Sequence, residues 1–294
     1  MCAWQNHAKI LPAVISKEKI KELQQTARKL RQHIVSMTCA AASGHPGGSL
    51  SAADIITVLY FHALRHKPDD PGWADRDRFV MSKGHAAPVL YAALAESGYF
   101  PVKYLMTLRR IGSSLQGHVD MLALPGIEMS TGSLGQGLSA ANGMALAGKL
   151  DQKDFRVYCL TGDGECHEGQ IWEAAMTASH HKLDNLTVIV DHNKYQIDGK
   201  VEDIKSLKPF AAKWEAFGFE VFSCNGHDMQ SIINALNKAE KVKGKPSVIL
   251  ADTVKGKGVS FMEAKPLDYH GKAPTPEEEK KALEELCRIA QVKP

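Results

Sequence analysis

The sequence has no apolar run approaching the ~18 residues that cross a bilayer, and its first residues, Met1-Cys-Ala-Trp-Gln-Asn-His-Ala-Lys9, lack the apolar core of a secretory signal. Its six cysteines, at Cys2, Cys39, Cys159, Cys166, Cys224 and Cys287, include no CxxC pair. That spacing argues against a thiolate metal site and a disulfide framework, and for a reduced, cytoplasmic chain. The net charge is only +3, with no long run of one sign, so neither nucleic acid nor a membrane surface is an expected partner. No GxGxxG follows an early strand, which disfavours a nicotinamide-binding Rossmann domain. Repeats and low-complexity segments are absent as well. What remains is an ordinary globular composition, 44% apolar and 23% charged, in a chain long enough to bury a substantial core.

Residues 1–15 read as a loose leader and 16–294 as a single α/β domain. Ser16 is the expected N-cap of a helix carried by Ile20, Leu23, Ala27, Leu30, Ile34 and Met37. Ser43-Gly-His-Pro-Gly-Gly48 should end it, and a second helix is expected over 51–63. A short strand at 79–82 and a helix at 86–98 precede a glycine-rich, aperiodic stretch, 111–138, of the length that often carries function. A small-residue helix, 136–149, follows. The second half alternates: strand 155–160, helix 168–181, strand 186–190, helix 206–217, strand 219–223, helix 228–240, strand 247–252, then a charged helix over 274–292. This alternation predicts a parallel sheet flanked by helices on both faces.

Thr161-Gly-Asp-Gly-Glu165 sits where a buried strand meets a helix, at the carboxyl end of a parallel strand. Glycines there let the backbone approach a phosphate, and the helix adds free N–H groups. Asp163 suits a hard cation bridging phosphate oxygens; a plain tight turn is the alternative. The next strand ends in Asp191-His-Asn-Lys-Tyr195, with 165–192 between Gly164 and Asn193. Neighbouring parallel strands bring Asn193 close to Asp163. A carboxylate, an amide oxygen and a backbone carbonyl make a partial octahedral shell for Mg²⁺, with Ca²⁺ or Mn²⁺ as substitutes. His45, His85, His118 and His270 each lie in glycine-containing turns. Imidazole can donate to phosphate or move protons, but loop histidines are also ordinary surface residues, and spacing alone does not bring these four together.

The Gly-Asp-Gly to Asn pairing resembles the thiamine-diphosphate signature, which implies the carbonyl of Tyr195 as a third metal ligand. Ser43-Gly-His-Pro-Gly-Gly-Ser49, Trp73-Ala-Asp-Arg-Asp-Arg-Phe-Val-Met-Ser-Lys-Gly-His85, Thr131-Gly-Ser-Leu-Gly-Gln-Gly137, Glu168-Gly-Gln-Ile-Trp-Glu173, Val254-Lys-Gly-Lys-Gly-Val259 and His270-Gly-Lys-Ala-Pro274 resemble transketolase motifs, in family order over roughly 16–290. The resemblance implies the diphosphate-binding (PP-type) fold, thiamine diphosphate and Mg²⁺ as cofactors, and ketol transfer between sugar phosphates, as in the pentose phosphate pathway. It implies His45 and His118 facing substrate, and His85 and His270 near the diphosphate, His270 also near substrate. Gly132, Ser133 and Leu134 would line the aminopyrimidine and thiazolium, with Ser133 where many members carry proline. Gly162, Asp163, Gly164 and Glu165 would hold the diphosphate and its metal, with Gly164 donating its N–H. Glu168 and Glu173 would join a proton network across a dimer interface, and Lys83 and Lys255 would add charge near the phosphates.

The family enzyme is more than twice as long. The acid that activates the aminopyrimidine and much of the sugar-phosphate site belong to its second domain. A split enzyme is therefore expected: this chain with a C-terminal transketolase subunit carrying the pyrimidine-binding and C-terminal domains, as an α₂β₂ assembly. Truncation of a longer chain is the alternative origin, against which the ending Ala290-Gln-Val-Lys-Pro294 reads as a natural terminus. The rivals are another thiamine-dependent half, resembling deoxyxylulose-phosphate synthase or a 2-oxoacid dehydrogenase, a transketolase for an unusual sugar phosphate, and a cofactor-binding subunit without catalysis.

Overall fold

Ser16 opens helix α1 (Lys17–Ala41) by accepting the Lys19 amide on its hydroxyl at 3.1 Å. The computed structural model describes residues 15–288; the expected leader, save Ile15, and 289–292 of the terminal helix lie outside the described residues. Leu23, Ala27, Leu30, Ile34 and Met37 form the buried face of α1, as their spacing requires. The chain reverses through Ala42 and Gly44, both at positive φ.

The break that follows is shorter than expected. Pro46 opens helix α2 (Pro46–Ser51), because its fixed φ and missing N–H suit a first helical turn. Gly47 and Gly48 are therefore helical, not loop. A side chain at 47 is excluded: the Gly47 amide donates to Tyr269 O at 3.0 Å, and a Cβ would stand 2.7 Å from that oxygen. Helix α3 (Ala53–Val58) continues into a π turn, Leu59–Ala63, which completes the expected 51–63 helix.

Then come β1 (Arg78–Met81), α4 (Ala87–Ser97), α5 (Gln136–Leu150), β2 (Val157–Gly162), α6 (Gly169–His180), β3 (Leu186–His192), α7 (Val201–Lys205), α8 (Phe210–Ala216), β4 (Glu220–Asn225), α9 (Met229–Lys241), β5 (Ser247–Asp252), α10 (Ser260–Ala264) and α11 (Pro276–Arg288). The helix expected over 206–217 starts only at Phe210, after Pro209. The short α7 and α10 have no periodicity that would have announced them.

All five strands are parallel, in the order β1-β2-β3-β5-β4. Their side chains alternate with period two. Phe79, Met81, Tyr158, Leu160, Ile189 and Ile249 pack with α1, α3, α4, α9 and α11 on one face. Val80, Val157, Cys159, Val188, Val190 and Val248 pack with α5, α6 and Trp214 of α8 on the other. The sheet is thus buried on both sides, which is why its strands read as continuous apolar runs. The register sets Gly162 beside Asp191 and His192 beside Asp252, so three strand ends open onto one rim.

Glu165 braces that rim, which corrects the expectation that it faces a cofactor. Its carboxylate is 2% exposed and accepts from Ser82 Oγ at 2.5 Å, Gly135 N at 2.9 Å and Gly162 N at 3.0 Å. Burial raises its pKa, against the pull of these three donors. It ties the end of β1, the glycine loop before α5 and the end of β2 to one group. On the α1 face, Asp54 receives both Arg31 Nη1 (3.0 Å) and Nη2 (2.6 Å) and pairs with His227 Nδ1 at 2.8 Å.

Two stability outcomes follow. Glu165→Gln keeps the volume but points an N–H at a backbone N–H. It should cost about 1–3 kcal/mol in urea unfolding, and Glu165→Ala more; an unchanged midpoint would contradict the brace. For Asp54, burial alone would raise the carboxyl pKa, but Arg31 and His227 outweigh it and hold it below 3.8. The stabilisation is therefore complete above that value and fades as pH falls through the depressed folded one. Asp54→Asn should cost about 3–5 kcal/mol at neutral pH and flatten the acid limb of stability against pH.

Candidate active site

The carboxyl ends of β2 and β3 meet over a buried carboxylate, Asp191. It accepts from Ser51 Oγ (2.6 Å), Lys83 Nζ (2.5 Å) and Asn193 Nδ2 (2.9 Å) on one oxygen and from Thr253 Oγ1 on the other. Burial alone would raise its pKa; Lys83 and these hydrogen bonds together leave it lowered. Lys83, 1% exposed, also donates to Gly48 O at 2.8 Å. Its ammonium is thus bonded to Asp191, while its charge is still felt at His85, Lys255 and His270. Sequence reasoning misses Asp191 itself, whose only signal is an acid ending an apolar strand.

With its Nδ2 on Asp191, the Asn193 side chain has its Oδ1 turned to the Tyr195 amide at 3.1 Å. Lys194 takes φ 70°, so its amide reaches Asp163 Oδ2 at 2.5 Å. Asp163 and Asn193 are thereby brought together, as the parallel-strand argument requires. Asp163 Oδ1 accepts the Gly164 amide at 2.8 Å. That N–H, expected to donate to a diphosphate, caps its own turn here. The Asp163 carboxyl is pushed up to about 7 by burial and by Asp191, against the N–H groups of Lys194 and Gly164. The Tyr195 carbonyl lies 3.4 Å from Lys255 Nζ.

The four histidines converge. His45 stands 5.3 Å from His85, 5.9 Å from His118 and 5.8 Å from His270 between ring centroids, and His85 stacks on His270 at 5.5 Å. They arrive on four segments: the α1–α2 turn, the turn after β1, the glycine loop and the segment after α10. Two backbone hydrogen bonds, Gly47 N to Tyr269 O and Gly256 N to Gly47 O, both 3.0 Å, set the first against the last. Lys255 Nζ lies 2.6 Å from His270 Nδ1; an ammonium there donates, which leaves His270 to carry its proton on Nε2. Burial and neighbouring cations lower every one of these groups: His45 to about 4, His270 to about 3, Lys255 to about 8, with His85 and His118 lowered too. His45 Nδ1 is buried without a partner.

Arg109, which no motif singles out, donates to Ser43 Oγ (3.0 Å) and Gly117 O (3.2 Å), and its charge depresses His45 and His118. Gly132 packs its backbone against the His118 ring, at 3.1 Å from a notional Cβ, while Gly84 leaves no room for a side chain beneath Thr131. Ser133 and Leu134 follow at the surface of the same loop. Glu168 and Glu173 are exposed at the start and on the outer face of α6, and neither carboxylate bonds another described residue. They are not brought into the histidine cluster.

The site therefore has two poles. Burial and crowding by like charge disfavour the charged forms of the histidines and Lys255 at one pole and of Asp163 at the other. Both departures are relieved by an anion with a bridging metal, so the residues fit a diphosphate and a divalent ion. Among the described residues no group of three His, Cys, Asp or Glu could hold a metal. A metal here would rest on one carboxylate, an amide and a carbonyl, a donor set suited to a hard ion.

A family described as transketolase, thiamine diphosphate binding domain, matches residues 21–288. The chain is 48% identical over 265 residues to a 6-deoxy-6-sulfo-D-fructose transketolase subunit of Clostridium sp. (strain MSTE9), covering 90% of this chain and 96% of that one. It is 44% identical over 266 residues to an apulose-4-phosphate transketolase subunit of Actinobacillus succinogenes, with the same coverage. It superposes on the transketolase of Campylobacter jejuni with a TM-score of 0.86 at 40% identity, over 91% of this chain but 43% of that one. It thus spans nearly all of two transketolase subunits and less than half of a single-chain transketolase. A parallel sheet with this rim and sequence matches of this extent lead to one conclusion: the chain belongs to the transketolase family, as its thiamine-diphosphate-binding domain.

Proposed function

We propose that the chain is the diphosphate- and Mg²⁺-binding subunit of a transketolase that moves a two-carbon ketol unit from a ketose phosphate to an aldose phosphate. The observation that carries this is the pairing of poles: four histidines and Lys255 beside Asp163 and Asn193, where β2 meets β3. A second subunit with the pyrimidine-binding and C-terminal domains would complete it, as an α₂β₂ assembly. The names of its relatives as transketolase subunits support a partner. Their sugars, a sulfo-deoxyfructose and apulose 4-phosphate, favour substrates beyond those of the pentose phosphate pathway. A reducing cytoplasmic setting belongs to the same reading, supported by free thiols at Cys39, Cys159, Cys166, Cys224 and Cys287.

Asp163, the Asn193 amide oxygen and the Tyr195 carbonyl would hold Mg²⁺, with Ca²⁺ or Mn²⁺ as substitutes. His85, His270 and Lys255, with Gly162 and Gly164, would face the diphosphate. Gly132, Ser133 and Leu134 would lie against the rings of the cofactor. Bound thiamine diphosphate supplies the nucleophilic carbon and the electron sink for breaking and remaking a C–C bond beside a carbonyl. His45 is neutral at working pH, so it can accept a hydrogen bond from a substrate hydroxyl or pass a proton. His118, on the outer side of His45, would do the same. His270, held by Lys255, offers its Nε2–H in a fixed direction. Glu168 and Glu173, exposed on α6, would act only through groups of an adjoining chain.

Titration of thiamine diphosphate with Mg²⁺ into the assembly of both chains separates these roles. Asp163→Ala should abolish the metal dependence of binding, and its survival would remove the metal assignment. His85→Ala should weaken cofactor binding about tenfold. His45→Ala should leave that affinity in place and lower kcat about 10²–10⁴-fold. Equal losses of affinity in both histidine variants would undo the division between diphosphate and substrate sides. The whole reading fails if the assembly with cofactor and Mg²⁺ transfers no ketol unit between sugar phosphates.

A further inference from the structure

The opposite rim of the sheet carries a second cavity, of about 570 Å³. It opens at the amino ends of β1, β2 and β3, beside the last turns of α5 and α9. β2, six residues long, separates it from the Asp163 rim by about 20 Å. The volume lies within the range of small-molecule sites.

Its lining holds polar groups that the protein leaves without partners. Asn237 is only 8% exposed, and neither its amide oxygen nor its nitrogen makes a hydrogen bond. Asn185 donates to Ala145 O at 2.9 Å, which fixes its orientation, yet its Oδ1 is buried and unpartnered. Arg156 Nε is buried and unpartnered too, and its Nη2 reaches Asp184 O and Thr187 Oγ1 only at 3.4 Å. Asn237 is left wholly unbonded, and Asn185 and Arg156 each keep one buried polar atom without a partner. Such groups are costly to bury, and three residues of this kind beside one cavity are poorly explained by folding alone.

The charges are uneven. Asp77 and Asp154 are paired with Arg65, and Asp184 with Lys149. Arg156, Lys241 and Lys243 also line the cavity and take no ion pair among the described residues. The lining acid that remains, Glu240, is held by Tyr158 Oη at 3.2 Å, and burial raises its pKa against the nearby charge of Arg156. Lys243 in turn adds, against burial, to the charge that lowers Asp184. An excess of cations thus sits next to two unfilled donors, Arg156 Nε and an Asn237 N–H, and two unfilled acceptors, Asn185 Oδ1 and Asn237 Oδ1.

We infer that this cavity binds a small hydroxylated anion. Its oxyanion is held by Arg156 with Lys241 and Lys243 at the mouth, and the buried Asn237 amide, which has no hydrogen bond to lose, turns into the cavity to meet its hydroxyls. The site is separate from the histidine rim and does not rest on the proposed ketol transfer.

Glycerol 3-phosphate is the test ligand, with hydrogen–deuterium exchange followed at 149–156 and 237–244 in the full chain saturated with thiamine diphosphate and Mg²⁺, so that the histidine rim is filled. Saturable protection of both segments is expected. Inorganic phosphate should protect them more weakly and glycerol not at all. Asn237→Leu should weaken binding at least about tenfold, and so should Lys243→Glu, an exposed change that leaves the fold alone. Thiamine diphosphate affinity should stay the same in both. Absence of protection, protection by glycerol alone, or full affinity in both variants would each overturn the inference. An Asn237→Leu variant that melts higher while the parent binds nothing would assign the unpaired groups to ordered water only.

Discussion

One buried carboxylate organises the candidate active site. Asp191 collects Ser51 of α2, Lys83 of the turn after β1, Asn193 of the turn after β3 and Thr253 after β5. Three segments distant in sequence, and the turn that follows β3 itself, are thus fastened to the end of one strand. An unpaired ion at this depth would be prohibitive, and Lys83 with its further bond to Gly48 makes it tolerable. The amide of Asn193 has one orientation open to it once its nitrogen is on Asp191, and its oxygen is left to the Tyr195 amide. Glu165 has the corresponding role on the neighbouring strand, where it sets the glycine loop against the ends of β1 and β2. The groups that would touch a ligand are therefore positioned by two acids that would not.

The electrostatics of the rim follow from this scaffold. Lys83 neutralises Asp191 but also stands near His85 and Lys255, and its charge helps to hold their protons off. Asp191 in turn raises Asp163. Each pole is tuned partly by the ion pair between them. A histidine cluster kept neutral in this way binds through directed hydrogen bonds, with one proton per ring, and each ring with a free nitrogen can take a second proton there and return it.

Where a property follows from local pattern or from strand adjacency, it is readable in the sequence. Continuous apolar runs in Val157–Leu160 and Leu186–Val190, ended by Gly162 and Asn193, place Asp163 and Asn193 at the ends of neighbouring parallel strands from sequence alone. What is not readable depends on long-range packing. His45, His85, His118 and His270 ride on segments whose meeting is fixed by crossovers and by Gly47 against Tyr269, and no spacing encodes that. The same contact explains the misjudged turn at 46–48: glycine disfavours a helix locally, but only glycine allows this helix so close to another backbone. Glu165 looks like a member of a phosphate loop because Gly-Asp-Gly-Glu is ambiguous about which way the last side chain points. Lys83–Asp191 stays hidden because each residue alone resembles an ordinary strand-end polar group.

The pair of backbone hydrogen bonds that joins Gly47 to Tyr269 and Gly256 has a consequence for how such a site can change over evolutionary time. They hold the peptides that carry His45 and His270, yet neither imidazole takes part in them. The frame is therefore indifferent to what is mounted on it. Residues at 45 and 270 can be exchanged for others of different reach or polarity while the main chain beneath keeps its place. A lining of this kind lets a lineage try new sugars without first having to relearn how to fold.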